Sequence, residues 1–136
     1  MLKLVVGYPT PEEEQSVLSR WHAGFSAHDL EAARTEAGAI VVEPGVLRYI
    51  GLLVGKTRDS SDILLGGSPR ASVALLLASK ALAALRGKFF VGPDEVKEMA
   101  YPVLRHRILL RPEAEIEGMK PDDAIRRVAE SIEVPR

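Results

Sequence analysis

The sequence predicts a mainly α fold, a helical bundle with a small two-stranded β element and a short strand at its N-terminal end. Three observations carry this reading. Helix-start signals recur, with a capping residue followed by proline at Thr10-Pro11 and Ser68-Pro69 and further prolines opening segments at Pro44, Pro93 and Pro121. In most segments the apolar residues repeat at helical rather than alternating spacing. Apolar residues make up 46% of the 136 and aromatics only 5%, so the core is expected to be built from Leu, Val, Ile and Ala, which suits packed helices.

Taken in order, Leu2 to Val6 is a short apolar run with strand character, although the rest of the chain offers it few neighbouring strands. Thr10-Pro11-Glu12-Glu13 supplies an N-cap, a proline at the first helical position and a capping-box glutamate. The helix that follows places Val17, Leu18, Trp21 and Phe25 on one face. Its acidic first turn, Glu12 to Glu14, is explained by the helix dipole rather than by catalysis. A short polar helix is expected from His28 to Ala37, ending near Gly38, then a brief extended piece at Ile40-Val41-Val42 and a helix over residues 44–57. Residues 58–67, rich in Asp, Ser and Gly, read as a loop.

The next helix, Pro69 to Arg86, is apolar almost all round and carries six alanines between Ala71 and Ala84, which predicts a central, buried rod. Ser72, Ser79 and Arg86, spaced by sevens, form its one narrow polar strip. Beyond it, Lys88-Phe89-Phe90-Val91 and Arg107-Ile108-Leu109-Leu110 have strand character and are expected to pair with each other. They flank a helix starting at Pro93 that Pro102 should kink or divide near Ala100. A last helix is expected from Pro121 to about Glu133, burying Ile125, Val128, Ala129 and Ile132.

The chemistry concentrates at Gly66-Gly67-Ser68-Pro69-Arg70. Ser68 is a preferred N-cap and Pro69 a preferred first helical residue, so Arg70 falls in the first turn of the long apolar helix. That position exposes unpaired backbone N–H groups and a partial positive charge, an environment for an anion and a poor one for a cation. An arginine there gains a purpose if a phosphate completes the site. The same residue also fits a solvated surface position at small cost.

These motifs occur in a specific order. Gly-Gly-Ser-Pro-Arg-Ala opens an Ala/Leu helix, followed by Phe90-Val91-Gly92-Pro93-Asp94-Glu95-Val96-Lys97, Pro102-Val103-Leu104-Arg105-His106-Arg107 and Arg111-Pro112-Glu113-Ala114-Glu115-Ile116-Glu117-Gly118, with Val6-Gly7-Tyr8-Pro9 upstream. Together they resemble the C-terminal lid of MoxR-type AAA+ ATPases over nearly the whole chain. The resemblance implies that residues 1–25 are the last strand and following helix of the ATPase core and residues 26–136 the helical lid. It implies that Arg70 is the sensor-2 arginine, with Tyr8 and Pro9 at the edge of the adenine pocket and Ser68 and Pro69 also among the cofactor-binding residues. ATP and Mg would then belong to a longer chaperone-like protein working in a ring, expected to be a hexamer. Its partners would be the ATPase core of the same polypeptide, neighbouring subunits and von Willebrand A domain proteins.

What the sequence lacks bounds this reading. No G-x-x-x-x-G-K-S/T phosphate loop is present. The nearest string, Gly51-Leu52-Leu53-Val54-Gly55-Lys56-Thr57, is one residue short and lies in a helical pattern rather than after a strand. No apolar run ends in Asp-Glu as a magnesium-binding strand would. This segment alone is therefore expected to be inactive, and the alternative reading is a free-standing helical protein-interaction module that binds no nucleotide. Gly66 to Arg70 is no nucleophile elbow, since arginine stands where glycine is needed. His22, His28 and His106 are too scattered for a metal site, and without cysteine there is no disulfide or thiolate site. Eighteen basic and nineteen acidic residues give a charge of −1, which argues against nucleic acid as a partner. No run approaches membrane-spanning length and no leader pattern is visible, so a cytoplasmic location is expected. Arg105, His106, Arg107 and Arg111 form a basic cluster that fits either a solvated strand edge or a surface facing a neighbouring subunit.

Overall fold

The computed structural model describes residues 10–22, 24 and 26–135, in the order α1 (Pro11–His22), α2 (Ala27–Ala39), α3 (Pro44–Arg58), β1 (Ile63–Leu65), α4 (Pro69–Leu85), α5 (Pro93–Leu104), β2 (Leu109–Leu110), α6 (Pro112–Ile116) and α7 (Pro121–Glu130). The mainly helical bundle with one two-stranded antiparallel sheet is as the sequence predicts. The expected strand at residues 2–6 lies outside the described residues, as do the side chains of Val17, Leu18, Trp21 and Phe25.

The start of α1 is closed as expected: the Thr10 N–H donates to Glu13 Oε2 (2.8 Å) and the Glu13 N–H to Thr10 Oγ1 (3.3 Å). Ser26 and Asp29 build the same reciprocal cap on α2, a polar helix with no buried residue that is tied to α4 where Lys80 Nζ donates to the Gly38 carbonyl (2.6 Å). The core lies between α3, α4, α5 and α7. It is built from Tyr49, Leu53 and Val54 of α3, Leu75 of α4, Val96, Val103 and Leu104 of α5, and Ile125 of α7.

Helix α4 departs from the buried rod expected of it. It packs against α2, α3 and α5, and only Ala71, Leu75, Ser79 and Ala83, one residue per turn, are buried. Val73 (56%) and Leu77 (60%) remain exposed on the opposite side. The polar strip is also broken at its middle: Ser79 points into the core, where its hydroxyl donates to the Leu75 carbonyl (2.8 Å) and so needs no outside partner. Three small residues on this face let the helix backbones approach closely, so the contact face is set by size more than by hydrophobicity.

The expected pairing of residues 88–91 with residues 107–110 does not form. β1 pairs with β2 in antiparallel register, Ile63 opposite Leu110 and Leu65 opposite Leu109 with an irregularity between them. Phe90 instead makes an isolated parallel bridge with Val41. The reason is helix length. The twelve residues of α5 span about 18 Å, so the segments flanking it lie at opposite ends of a rod. Helix α4 carries the chain away from β1 and α5 brings it back, delivering Leu109 to the segment read as loop. Two further differences are local. Pro102 lies inside α5 without dividing it. The short helix α6 was not anticipated, although Pro112, the acidic turn behind it and Gly118 (φ +84°) are its start and stop signals. Helix α7 ends at Glu130, three residues early, with Ile132 half-buried beyond it.

The α4–α5 turn closes on Glu95, whose side chain has no exposed surface. Its Oε1 accepts from Lys88 Nζ (2.7 Å) and Arg86 Nη1 (3.0 Å), and its Oε2 from the Gly92 N–H (3.0 Å). Burial alone would raise the carboxyl pKa, but the hydrogen bonds from Lys88, Arg86 and Gly92 outweigh it and hold the pKa down from 4.5 to about 2. A folded-state pKa below the unfolded one contributes stability in full above the unfolded value and loses it as pH falls toward the folded one. Glu95→Gln should therefore melt below the native protein at pH 7. That gap should narrow as pH falls from 4.5 to about 2, and a thermal-unfolding series across this range measures it.

Candidate functional site at the start of helix α4

The local sequence places Arg70 where it was expected. Ser68 is the N-cap residue with extended backbone (φ −76°, ψ 167°), Pro69 opens the helix and Arg70 follows in its first turn. Although Ser68 is the N-cap, its side chain makes no capping hydrogen bond. The turn is closed by backbone instead, the Ala71 N–H donating to the Ser68 carbonyl (2.8 Å). Ser68, Pro69 and Arg70 are all exposed, and among the described residues no carboxylate or hydrogen-bond acceptor engages the Arg70 guanidinium. Tyr8 and Pro9, the expected adenine-side residues, lie outside the described residues.

What fixes this turn is the end of α3. Gly66 runs so close to α3 that a Cβ on it would lie 2.7 Å from the backbone N and Cα of Arg58. A Cβ on Gly67 would lie 2.9 Å from Val54 Cγ1 and 3.4 Å from Ala71 Cβ. The glycine pair is therefore required by close approach of the chain. Gly67 is buried, and its N–H donates to Thr57 Oγ1 (2.8 Å), a hydroxyl that itself donates to the Val54 carbonyl (2.6 Å). Thr57 has no exposed surface. In the sequence it stood out only as the end of the failed phosphate loop. That string is confirmed as the body of α3, and the usable signal was that Thr57 continues the buried spacing of Tyr49, Ile50, Leu53 and Val54.

The basic cluster divides into a half-buried part and an exposed strand-edge residue, Arg111. Arg105, His106 and Arg107 are half-buried where α5 leads toward β2. Arg105 Nη2 is paired with Asp122 of α7 (2.9 Å), and Arg107 Nε donates to His106 Nε2 (3.3 Å). Arg111 is exposed, and its backbone N–H donates to the Asp62 carbonyl (2.9 Å), extending the β1–β2 contact. Among the described residues no group of His, Asp and Glu could hold a metal, and no helix is long and apolar enough to cross a membrane.

The bundle thus presents at the first turn of α4 an arginine that is unpaired among the described residues, after a loop clamped to the preceding helix. The comparisons give the class of this bundle. A family model for the AAA lid domain matches residues 55–128, from the end of α3 into α7. The chain is 33% identical over 99% of its length to the uncharacterised protein YeaC of Bacillus subtilis, covering 45% of it. It is 31% identical over its whole length to chaperone MoxR1 of Mycobacterium tuberculosis, covering 40% of that protein. The crystal structure of a candidate ATPase from Cytophaga hutchinsonii superposes with a TM-score of 0.82 at 28% identity, over all of this chain and 47% of that one. The chain belongs to the AAA lid domain family and corresponds to the lid region of a MoxR-type AAA+ ATPase. It spans less than half the length of these relatives.

The clamp makes a stability contrast that local rules would not give. Ser68→Ala should cost no more than about 0.5 kcal/mol, below the ~1 kcal/mol typical of an N-cap, because no side-chain cap bond is lost. Gly67→Ala should cost about 1–3 kcal/mol through the clash with Val54. Urea unfolding of the two variants separates them.

Proposed function

We propose that this segment is the lid of an ATP-hydrolysing, chaperone-like AAA+ protein and that Arg70 is its sensor-2 arginine, reaching across a cleft to the γ-phosphate of ATP held by a core portion of the same polypeptide. On this reading residues 1–25 are the end of that core and residues 26–136 the lid, with Tyr8 and Pro9 beside the adenine. The observation that carries the proposal is an exposed guanidinium with no partner among the described residues, at the open start of a helix whose loop is clamped. A surface arginine with no task is under no pressure for such an anchor, whereas a phosphate contact needs its base fixed in order to stabilise charge that develops during transfer. The first-turn N–H groups of α4 add favourable potential for the same anion.

Arg70 would bind the transferring phosphoryl group and spread its charge. Magnesium would be held by the core portion outside this segment. Closure of the lid on ATP would pass along α4 into the packed bundle and couple nucleotide state to the shape of a ring of subunits. A cytoplasmic location and clients with von Willebrand A domains belong to the same proposal. A free-standing interaction module is the competing reading, favoured by the exposed Val73 and Leu77 on α4.

In the native-length protein, Arg70→Ala should lower kcat for ATP hydrolysis by on the order of 10²-fold while weakening ATP binding far less. Steady-state kinetics paired with a nucleotide-binding titration decide this, and equal losses in both would argue against a role in the transition state. The 136-residue segment alone should show no ATP turnover above background, and sustained hydrolysis by a highly purified sample would contradict the assignment.

A further inference from the structure

We infer that Thr57 is the positioning residue for Arg70, its buried hydroxyl locking the loop before α4 to the last turn of α3 so that the guanidinium is held on a rigid base. This rests on the reading of Arg70 given above. Thr57 takes no part in contact with nucleotide, because it is fully enclosed. Its effect is mechanical and passes through three residues of backbone.

The hydroxyl has both of its roles filled. As donor it is committed to the Val54 carbonyl one turn back (2.6 Å), which fixes its rotamer. An acceptor lone pair is thereby aimed at the Gly67 N–H (2.8 Å). Gly67 sits between Val54 and Ala71 with no room for a side chain, so its backbone lies directly on α3. Pro69 restricts the chain immediately after it. From Gly67 to Arg70 little rotational freedom remains, and the base of Arg70 is tied to α3 rather than to the loop at residues 59–62.

A hydroxyl is the group this position needs. Valine would fill the same volume but leave the buried Gly67 N–H without an acceptor, and the loop would have to lift to reach water. Serine would keep the oxygen and lose only a methyl. The pair of variants therefore separates hydrogen bonding from packing.

The test is a set of variants of the native-length ATPase: Thr57→Val, Thr57→Ser, Arg70→Ala, and Thr57→Val combined with Arg70→Ala. The expected result is that Thr57→Val lowers kcat about tenfold with KM for ATP nearly unchanged, and that Thr57→Ser restores it. The double variant should be no slower than Arg70→Ala alone, since misplacing an arginine that is already gone has no further cost. Amide hydrogen exchange should show faster exchange at Gly67 in Thr57→Val than in Thr57→Ser. If Thr57→Val does not fold, Thr57→Ala carries the same comparison. Full activity of the valine or alanine variant beside a slow Arg70→Ala would overturn the role of Thr57 and leave the Arg70 reading intact. A double variant slowed by the product of the single effects would likewise overturn it. An Arg70→Ala enzyme with native kcat would remove both.

Discussion

The arrangement of this lid depends on one buried carboxylate. Glu95 lies at the start of α5 with no surface in contact with solvent, and it accepts hydrogen bonds from a lysine, an arginine and a backbone amide that all come from the turn leading out of α4. A buried charge is costly unless its lone pairs are filled, and here the first turn of α5 and the chain from Arg86 to Gly92 must stay together to fill them. That requirement sets the return of α5 along α4. The return in turn decides which strands meet, and it places the N-terminal end of α4, with Arg70, at the end of the bundle where β1 and β2 pair.

Helix α4 is thus held at both ends by polar contacts and along its length by small residues. Arg86 and Lys88 hold the far end through Glu95, and Thr57 holds the near end through Gly67. Between them Ala71, Ser79 and Ala83 bring the helix close to its neighbours. A helix anchored at both ends is the mechanical arrangement that the proposed role of Arg70 would require. The two polar anchors differ in kind. Glu95 is a charge in a network and responds to acid, whereas Thr57 is neutral and insensitive to pH.

Much of this was legible in the sequence because it depends on neighbours in the chain. Helix starts at Pro11, Pro44, Pro69, Pro93 and Pro121 were readable from capping residues and proline, as was the place of Arg70 in a first turn. The family could be read from motif order, and the family match, over residues 55–128, covers the motifs from Gly66 to Gly118 but not Val6 to Pro9. The role of Thr57 was hidden because its partner is ten residues away across a loop and nothing in local spacing names that partner. The one-sided burial of α4 was hidden for a related reason: its apolar character said that it packs, but not how many sides would find a neighbour.

By itself the sequence determined that the chain is mainly helical, where its helices begin, and that an arginine stands at the mouth of a long one, since caps, prolines and periodicity act within a few residues; that these helices form a lid was what the resemblance carried by its motif order implied. Only the tertiary structure decided that β2 joins β1 rather than the segment around Phe90, that Ser79 faces inward, and that Thr57 clamps the loop under Arg70. Those outcomes turn on the length of α5, the size of facing side chains and the need to satisfy buried polar groups, quantities that exist only once distant parts of the chain share one interior.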